Sequence, residues 1–342
     1  MKITIYGLGA VGGLLGARLA LAGNRVSAIA RGATLTAVQQ HGLRLDDGTT
    51  QQVAPVAAVA VAGARSLGVQ DLIVVAVKAP QIGAVAAGIA ALIGPETMVM
   101  TAMNGVPWWF FDAPLRPMTG LQLPALANAA PMRACVPLQQ TLGCVVHLAA
   151  ACPEPGVVRL TFGNRLLIGA ASAVGDDSAD NPAGDTRRAT PAATAVAATL
   201  QAAGFDAVAS TDIHTDTWYK LWGNMTLNPV SVLAGAGSQR LLDDVLVRGF
   251  CLAAMAEAAA IGARIGCPIT QTGAERLEVA RQLGDFKTSM LQDAEAGRPL
   301  EIDALVTVVH EIGVAAGVPT PHIDSLLGLI RLHAQGRGLY PL

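Results

Sequence analysis

No C-x-x-C pair occurs in the sequence, and its five cysteines (Cys135, Cys144, Cys152, Cys251 and Cys267) are too scattered to form a ligand cluster. That argues against a disulfide framework, a zinc ribbon or a dithiol redox centre, and leaves buried or inert thiols as the expectation. The six histidines are equally dispersed, and no H-E-x-x-H, phosphate-loop lysine motif or nucleophile elbow appears. No metal site is expected. Charge of one sign is also scarce: the net value is -2 and the basic residues are spread along the chain. Neither nucleic acid nor an anionic membrane is therefore an expected partner. Although 52% of the residues are hydrophobic, alanine makes up much of that share, and no uncharged apolar run of membrane-spanning length stands out. A secretory signal is excluded because glycines at 7, 9, 12, 13 and 16 and Arg18 interrupt the apolar stretch behind Lys2. A cytoplasmic protein without internal repeats is the expectation, and 342 residues favour two domains over one core.

What is present begins at the first residues. A β-branched run, Lys2-Ile3-Thr4-Ile5-Tyr6, leads into Gly7-Leu8-Gly9-Ala10-Val11-Gly12 and then into helix-forming residues from Leu14. Strand, glycine turn and helix in that order are the context in which G-x-G-x-x-G signals dinucleotide binding. Gly7 permits the tight turn, Gly9 lets a pyrophosphate approach the backbone, and Gly12 lets helix and strand pack closely.

The next expected strand, 25–30, should end where an acid would bind the ribose 2′-hydroxyl of NAD. No Asp or Glu lies between the glycine turn and Asp46, and Arg31 occupies that end. A guanidinium can pair with the 2′-phosphate of NADP and stack on adenine, so NADP(H) is the expected cofactor; a solvated surface arginine is the alternative.

Strands and helices alternate up to about residue 211, as in a doubly wound parallel sheet. Strands are expected at 71–77, 97–101, 142–148, 157–162, 166–168 and 205–209, with helices at 80–92 and 192–203. Lys78 and Asn104 follow two of these strand ends, where ligands of open α/β sheets bind; each alone could be an ordinary loop residue. Residues 106–140, with Trp108-Trp109-Phe110-Phe111 and six prolines, lack periodicity and read as an excursion that could serve as a partner surface. The stretch 175–185 is a polar, turn-rich loop inside the first domain. Beyond residue 212, helical periodicity takes over at 215–228, 243–265, 273–283, 300–316 and 323–333. The expected organisation is a Rossmann-type α/β domain over 1–211 and an all-α domain over 212–342.

Within the first of those helices Lys220, Asn224 and Asn228 recur at i, i+4 and i+8. That spacing keeps them within about 80° on one face of a helix whose other positions are mostly apolar or aromatic. A buried polar row needs partners. The alternative is a lysine reaching solvent and two asparagines capping loops.

Taken together, Gly7 to Gly12, Val77-Lys78-Ala79, Asn104-Gly105, Trp218-Tyr219-Lys220-Leu221 with Asn224 and Asn228-Pro229, and Ser289-Met290-Leu291-Gln292-Asp293 followed by Glu301-Ile302-Asp303 resemble the ketopantoate reductase family, of the wider 6-phosphogluconate dehydrogenase-like group. The resemblance spans nearly the whole chain. It implies NADPH-dependent reduction of a 2-oxo acid, ketopantoate (2-dehydropantoate) to pantoate being the type reaction of pantothenate biosynthesis. It further implies Lys220 as proton donor with Glu301 beside it. The cofactor side would comprise Gly7, Leu8, Gly9, Ala10, Val11, Gly12, Arg31, Lys78, Asn104, Ala149 and Glu301. The substrate side would comprise Asn104, Lys220, Asn224, Asn228 and Ser289, with Ser238 standing where relatives often carry a further asparagine. A sibling reductase for another 2-oxo acid or bulkier ketone and a silent NADP(H) sensor are the competing functions. For Glu301 alone, an exposed helical charge is an equal alternative. A homodimer is left open.

Overall fold

The computed structural model of the chain describes residues 1–172 and 188–342, which divide into two units: Met1–Leu115 with Asn128–Asp216, and Arg116–Ala127 with Thr217–Leu342. The polar loop expected at 175–185 lies outside the described residues.

The first unit begins β1 (Lys2–Tyr6), α1 (Ala10–Leu21), β2 (Arg25–Ile29), α2 (Gly32–His41), β3 (Leu43–Asp46), β4 (Gln51–Ala54), β5 (Val56–Val59) and β6 (Leu72–Val75). It continues with α3 (Ile82–Ala90), β7 (Met98–Thr101), α4 (Ala130–Cys135), β8 (Thr141–Ala151), β9 (Val157–Ala170), α5 (Pro191–Ala202) and β10 (Asp206–Ala209). One ten-stranded sheet results, ordered β4-β3-β9-β8-β7-β6-β1-β2-β5 with β10 beside β9. Strands β5, β2, β1, β6, β7 and β8 run parallel. Every residue of β6 is buried, which is why this segment is a continuous apolar run and not an alternating one. From β1 the chain crosses to β2 on one side and later to β6 on the other. That reversal makes the carboxyl end of β1 a topological switch point, where such sheets bind ligands.

Two expectations change here. The stretches 157–162 and 166–168 form one strand, β9, held to β8 through two register shifts. Its middle residues are exposed and Gly163 has φ +64°, so the apolar pattern breaks while the pairing persists. The aromatic run is not a partner surface. Trp108, Trp109, Phe110 and Phe111 are all buried. Trp109 donates its indole N–H to Thr101 Oγ1 at 3.2 Å and meets His214 edge-on, while Arg133 pairs with Asp112 at 2.9 Å and bonds the Trp108 carbonyl. Buried and tied to β7, these four rings are not available to a partner.

The second unit is helical: α6 (Ile213–Ala234, begun in the first unit), α7 (Ser238–Asp243), α8 (Val245–Arg264), α9 (Gly273–Gln282), α10 (Ser289–Glu295), α11 (Val308–Ala316) and α12 (Pro321–Gln335). Helix α6 runs past Asn228, where the expected helix 215–228 stops, and through Pro229. Proline costs the bond that the Met225 carbonyl would accept, but residues 225–232 are buried and their packing offsets one missing bond. Helix α9 opens on a capping box between Thr272 and Glu275. The expected helix at 300–316 is divided, because a π-helical turn, Asp303–Thr307, precedes α11.

By length and composition α8 could cross a membrane. Here it is a packing helix: Cys251, Ala254, Met255, Ala258, Ile261 and Gly262 are buried, and it contacts α7, α9, α11 and α12. Two indoles of α6 are fastened to it. Trp218 donates to the Ala258 carbonyl at 3.2 Å and Trp222 to the Met255 carbonyl at 2.7 Å. Gly262 makes room for the first ring, since a Cβ there would collide with Trp218 Nε1 and lie 2.6 Å from the Cys267 carbonyl oxygen.

Gly262→Ala therefore sets two effects against each other. Alanine gains about 1 kcal/mol of helix propensity, whereas overpacking a fixed backbone oxygen and an indole costs about 1–3 kcal/mol. The expected outcome is net destabilisation, read as a lower urea midpoint with an unchanged m-value. A midpoint at or above wild type would show that Trp218 has room to move.

Candidate active site

The first unit presents its candidate residues at the carboxyl ends of β1, β2, β6 and β7. Gly7 has φ +101°, and a Cβ on it would lie 2.8 Å from the Ala76 carbonyl oxygen, so only glycine fits. A Cβ on Gly12 would strike the Gly7 carbonyl and approach Ala76 Cβ to 2.8 Å, which is the close helix-to-strand packing expected of it. Gly9 differs from both: nothing lies within 4 Å of a Cβ built there. It is exposed, it is the N-cap of α1, and no acidic residue stands in that helix's first turn. The N-terminus of a twelve-residue helix thus faces open space over bare backbone, a cradle that suits a pyrophosphate.

Arg31 is exposed just beyond β2, as the N-cap of α2. Lys78 and Asn104, each half-buried, follow β6 and β7. Leu8 is buried, while Ala10 and Val11 are half-buried in the cradle. Ala149 is an exposed residue of β8, paired with Phe162 beside a register shift.

In the second unit α6 carries the polar row. Trp218 and Trp222 lie about 160° around the helix from Lys220, so the face fastened to α8 is the one opposite the row. Lys220 and Asn224 are half-buried, and Asn228 is 6% exposed. Neither asparagine side chain makes a hydrogen bond among the described residues. Neither carboxamide is among the buried unbonded groups, so both amides keep access to solvent and hence to a ligand. The capping alternative for the two asparagines is thereby removed, since both lie inside α6.

Ser289, the first residue of α10, is exposed, and its hydroxyl bonds nothing among the described residues; Thr288 makes the cap instead. Ser238 is different. At 1% exposure its hydroxyl donates to the Gly284 carbonyl at 3.1 Å and accepts from Phe286 N–H at 3.0 Å. The hydroxyl thus ties down the loop before α10, with its donor committed to the Gly284 carbonyl. Glu301 is half-buried between buried Leu300 and Ile302 and immediately precedes the π-helical turn, a geometry frequent at functional sites. Across that turn Asp303 accepts the Tyr340 phenol at 2.6 Å. Burial, followed by the Asp303 carboxylate, pushes the Tyr340 phenol up to about 12.

One group escapes sequence reasoning. The guanidinium of Arg276, on α9, lies over the Tyr219 ring at 5.2 Å, and the Tyr219 hydroxyl donates to Gln271 Oε1 at 2.6 Å. A single arginine in a charged helix carries no motif that would have signalled it. Burial pushes the Cys251 thiol up to about 11 and also raises Cys135, the opposite of what a reactive thiolate needs. Among the described residues no cluster of His, Cys, Asp and Glu could hold a metal.

Comparison with known proteins agrees with this layout. Residues 3–173 match the profile of the ketopantoate reductase PanE/ApbA family, and residues 212–334 that of its C-terminal domain. The chain is 40% identical over 341 residues to the 2-dehydropantoate 2-reductase of Mesorhizobium japonicum, covering 99% of this chain and 100% of that one. A crystal structure from Ralstonia solanacearum, assigned as a ketopantoate reductase, is 54% identical with a TM-score of 0.90 over 99% of both chains. D-mandelate dehydrogenase, solved with NADH and anilino(oxo)acetate, reaches a TM-score of 0.81 over 99% of this chain and 100% of that one; at 22% identity it shares the fold alone. The chain belongs to the ketopantoate reductase family of oxidoreductases.

Proposed function

We propose that this protein reduces a 2-oxo acid to its 2-hydroxy acid with NADPH, 2-dehydropantoate to pantoate in pantothenate synthesis being the first choice of reaction. The observation that carries this reading is the polar row on one face of α6, where Lys220 and Asn224 are half-buried and the carboxamide of Asn228, a residue only 6% exposed, is bonded to no protein group and open to a ligand. Such a face suits a small polar molecule that supplies the missing bonds.

The cofactor's pyrophosphate would rest on Gly9 and the first N–H groups of α1, with Arg31 for the 2′-phosphate and Lys78, Asn104 and Ala149 along the rest. NADPH bound there supplies the hydride that reduces the ketone carbon. Lys220 aims its ammonium at the ketone oxygen, polarises the carbonyl and gives up a proton as charge develops on that oxygen. Glu301 orients Lys220. Asn224, Asn228, Ser289 and Asn104 are neutral donors to the remaining oxygens of the substrate. The net change is ketone, NADPH and one proton to alcohol and NADP⁺.

Lys220→Ala is expected to lower kcat about 10²- to 10⁴-fold while NADPH affinity measured without substrate changes little. Steady-state kinetics and a fluorescence titration separate the two effects, and a variant keeping half of the wild-type kcat would remove Lys220 as the acid.

For the cofactor, wild-type kcat/KM should favour NADPH over NADH by at least about tenfold, or roughly 1.4 kcal/mol, and Arg31→Ala should erase most of that difference. Equal use of both cofactors by the wild type would assign Arg31 to solvent.

A further inference from the structure

We infer that Arg276 is the carboxylate anchor of the substrate site, a cation that fits the protein for 2-oxo acids over neutral ketones. The inference rests on the proposed reduction of a 2-oxo acid and names how its acid group is recognised.

The guanidinium is held in place without being paired. Its Nε is buried and bonds nothing among the described residues. The acids nearest in sequence are committed elsewhere: Glu275 accepts from Thr272 N–H and Oγ1 at 2.8 Å each, and Glu278 pairs with Arg281 at 3.6 Å. Meanwhile the group is seated on two features of α6. Tyr219 supports it with the face of its ring, and that ring is itself fixed by the bond to Gln271. Gly223 leaves the space beside it, since a Cβ there would stand 3.3 Å from Nη2 and 3.4 Å from Nε. Glycine inside a long helix is unfavourable, and room for a flat guanidinium accounts for it.

The position suits a 2-oxo acid. Gly223 is about 60° around α6 from Lys220 and directly precedes Asn224. The guanidinium therefore flanks the polar row on the side away from Asn228. In a 2-oxo acid the carboxylate is bonded to the ketone carbon, so the two functions need neighbouring partners of different kinds. An ammonium that can give a proton suits the ketone oxygen. A planar fork that keeps its proton suits the carboxylate, with paired N–H donors to its two oxygens.

The experiment compares wild type, Arg276→Gln and Arg276→Lys on 2-dehydropantoate and other 2-oxo acids, with the matching 2-oxo amides as neutral controls. Affinity for NADPH is titrated separately. Arg276→Gln should raise KM for the acids about tenfold or more, with a smaller effect on kcat, and change the amides by less than about twofold. Arg276→Lys should recover only part of the loss, because an ammonium cannot reproduce the fork. Equal losses on acid and amide would make Arg276 a packing residue, and weakened NADPH binding would move it to the cofactor; either result overturns the inference. A wild type that reduces no 2-oxo acid sinks the proposed function instead, and oxamate then decides the anion site alone. A Tm rise with oxamate in wild type that is absent in Arg276→Gln upholds the site; the same response in both proteins removes it.

Discussion

Two indole hydrogen bonds set the roll of α6, and the candidate chemistry of the second unit depends on that roll. Trp218 and Trp222 are four residues apart, so their N–H groups leave one stripe of the helix and reach two carbonyls of α8, at Ala258 and Met255. Carbonyls within a helix already accept from the residue four later, and a second donor needs close approach. The glycine at 262 permits that approach. Because the donors are rigid rings and the acceptors are backbone, rotation of α6 by even one residue would break both bonds and bury the lysine-asparagine row in their place. A helix held only by apolar contacts would have no such stop.

The first unit reaches a fixed geometry by other means. There the constraint is steric, since Gly7 and Gly12 are sites where any side chain would meet backbone, while Gly9 between them is bare and open. The same residue type therefore plays opposite parts within six positions, two glycines admitting protein and one left open to a ligand. Neither unit depends on ion pairs for this, which is consistent with a chain in which only 14% of residues are charged.

How much of this was legible in the sequence follows from the range of each interaction. The strand-turn-helix at the start was readable because its spacing is local, although the atoms that demand glycine at position 7 come from Ala76 and Val77, just beyond β6. So was the polar row, because helical periodicity alone places Lys220, Asn224 and Asn228 together. The helix end expected at 228 misled, since only tertiary packing carries α6 on through Pro229. The aromatic run misled for the converse reason. Hydrophobicity without periodicity looks like surface, and the partners that bury it, Thr101, Arg133 and His214, are set by the fold and not by spacing. Ser238 looked like a stand-in for an asparagine until its hydroxyl was seen to hold residues 284 and 286, and Arg276 depends on a ring and a gap presented by another helix.

Those two residues also separate polar groups that build the fold from polar groups kept for a ligand. Ser238 donates one bond and accepts another within the protein and adds stability. The Nε of Arg276 is buried yet unsatisfied and Gly223 is a weak helix residue, so each lowers the stability of α6 or its neighbour, while the Asn228 amide bonds no protein group and stays accessible. All three lie on or against the same helix, on the flanks about 80° to 100° around from the stripe that the two indoles secure. A ligand that supplied the missing bonds would recover part of that cost on binding, so the strong attachment to α8 and the under-bonded remainder of the helix belong to one arrangement. Stability gathered on one side of α6 is what allows the rest to remain short of partners.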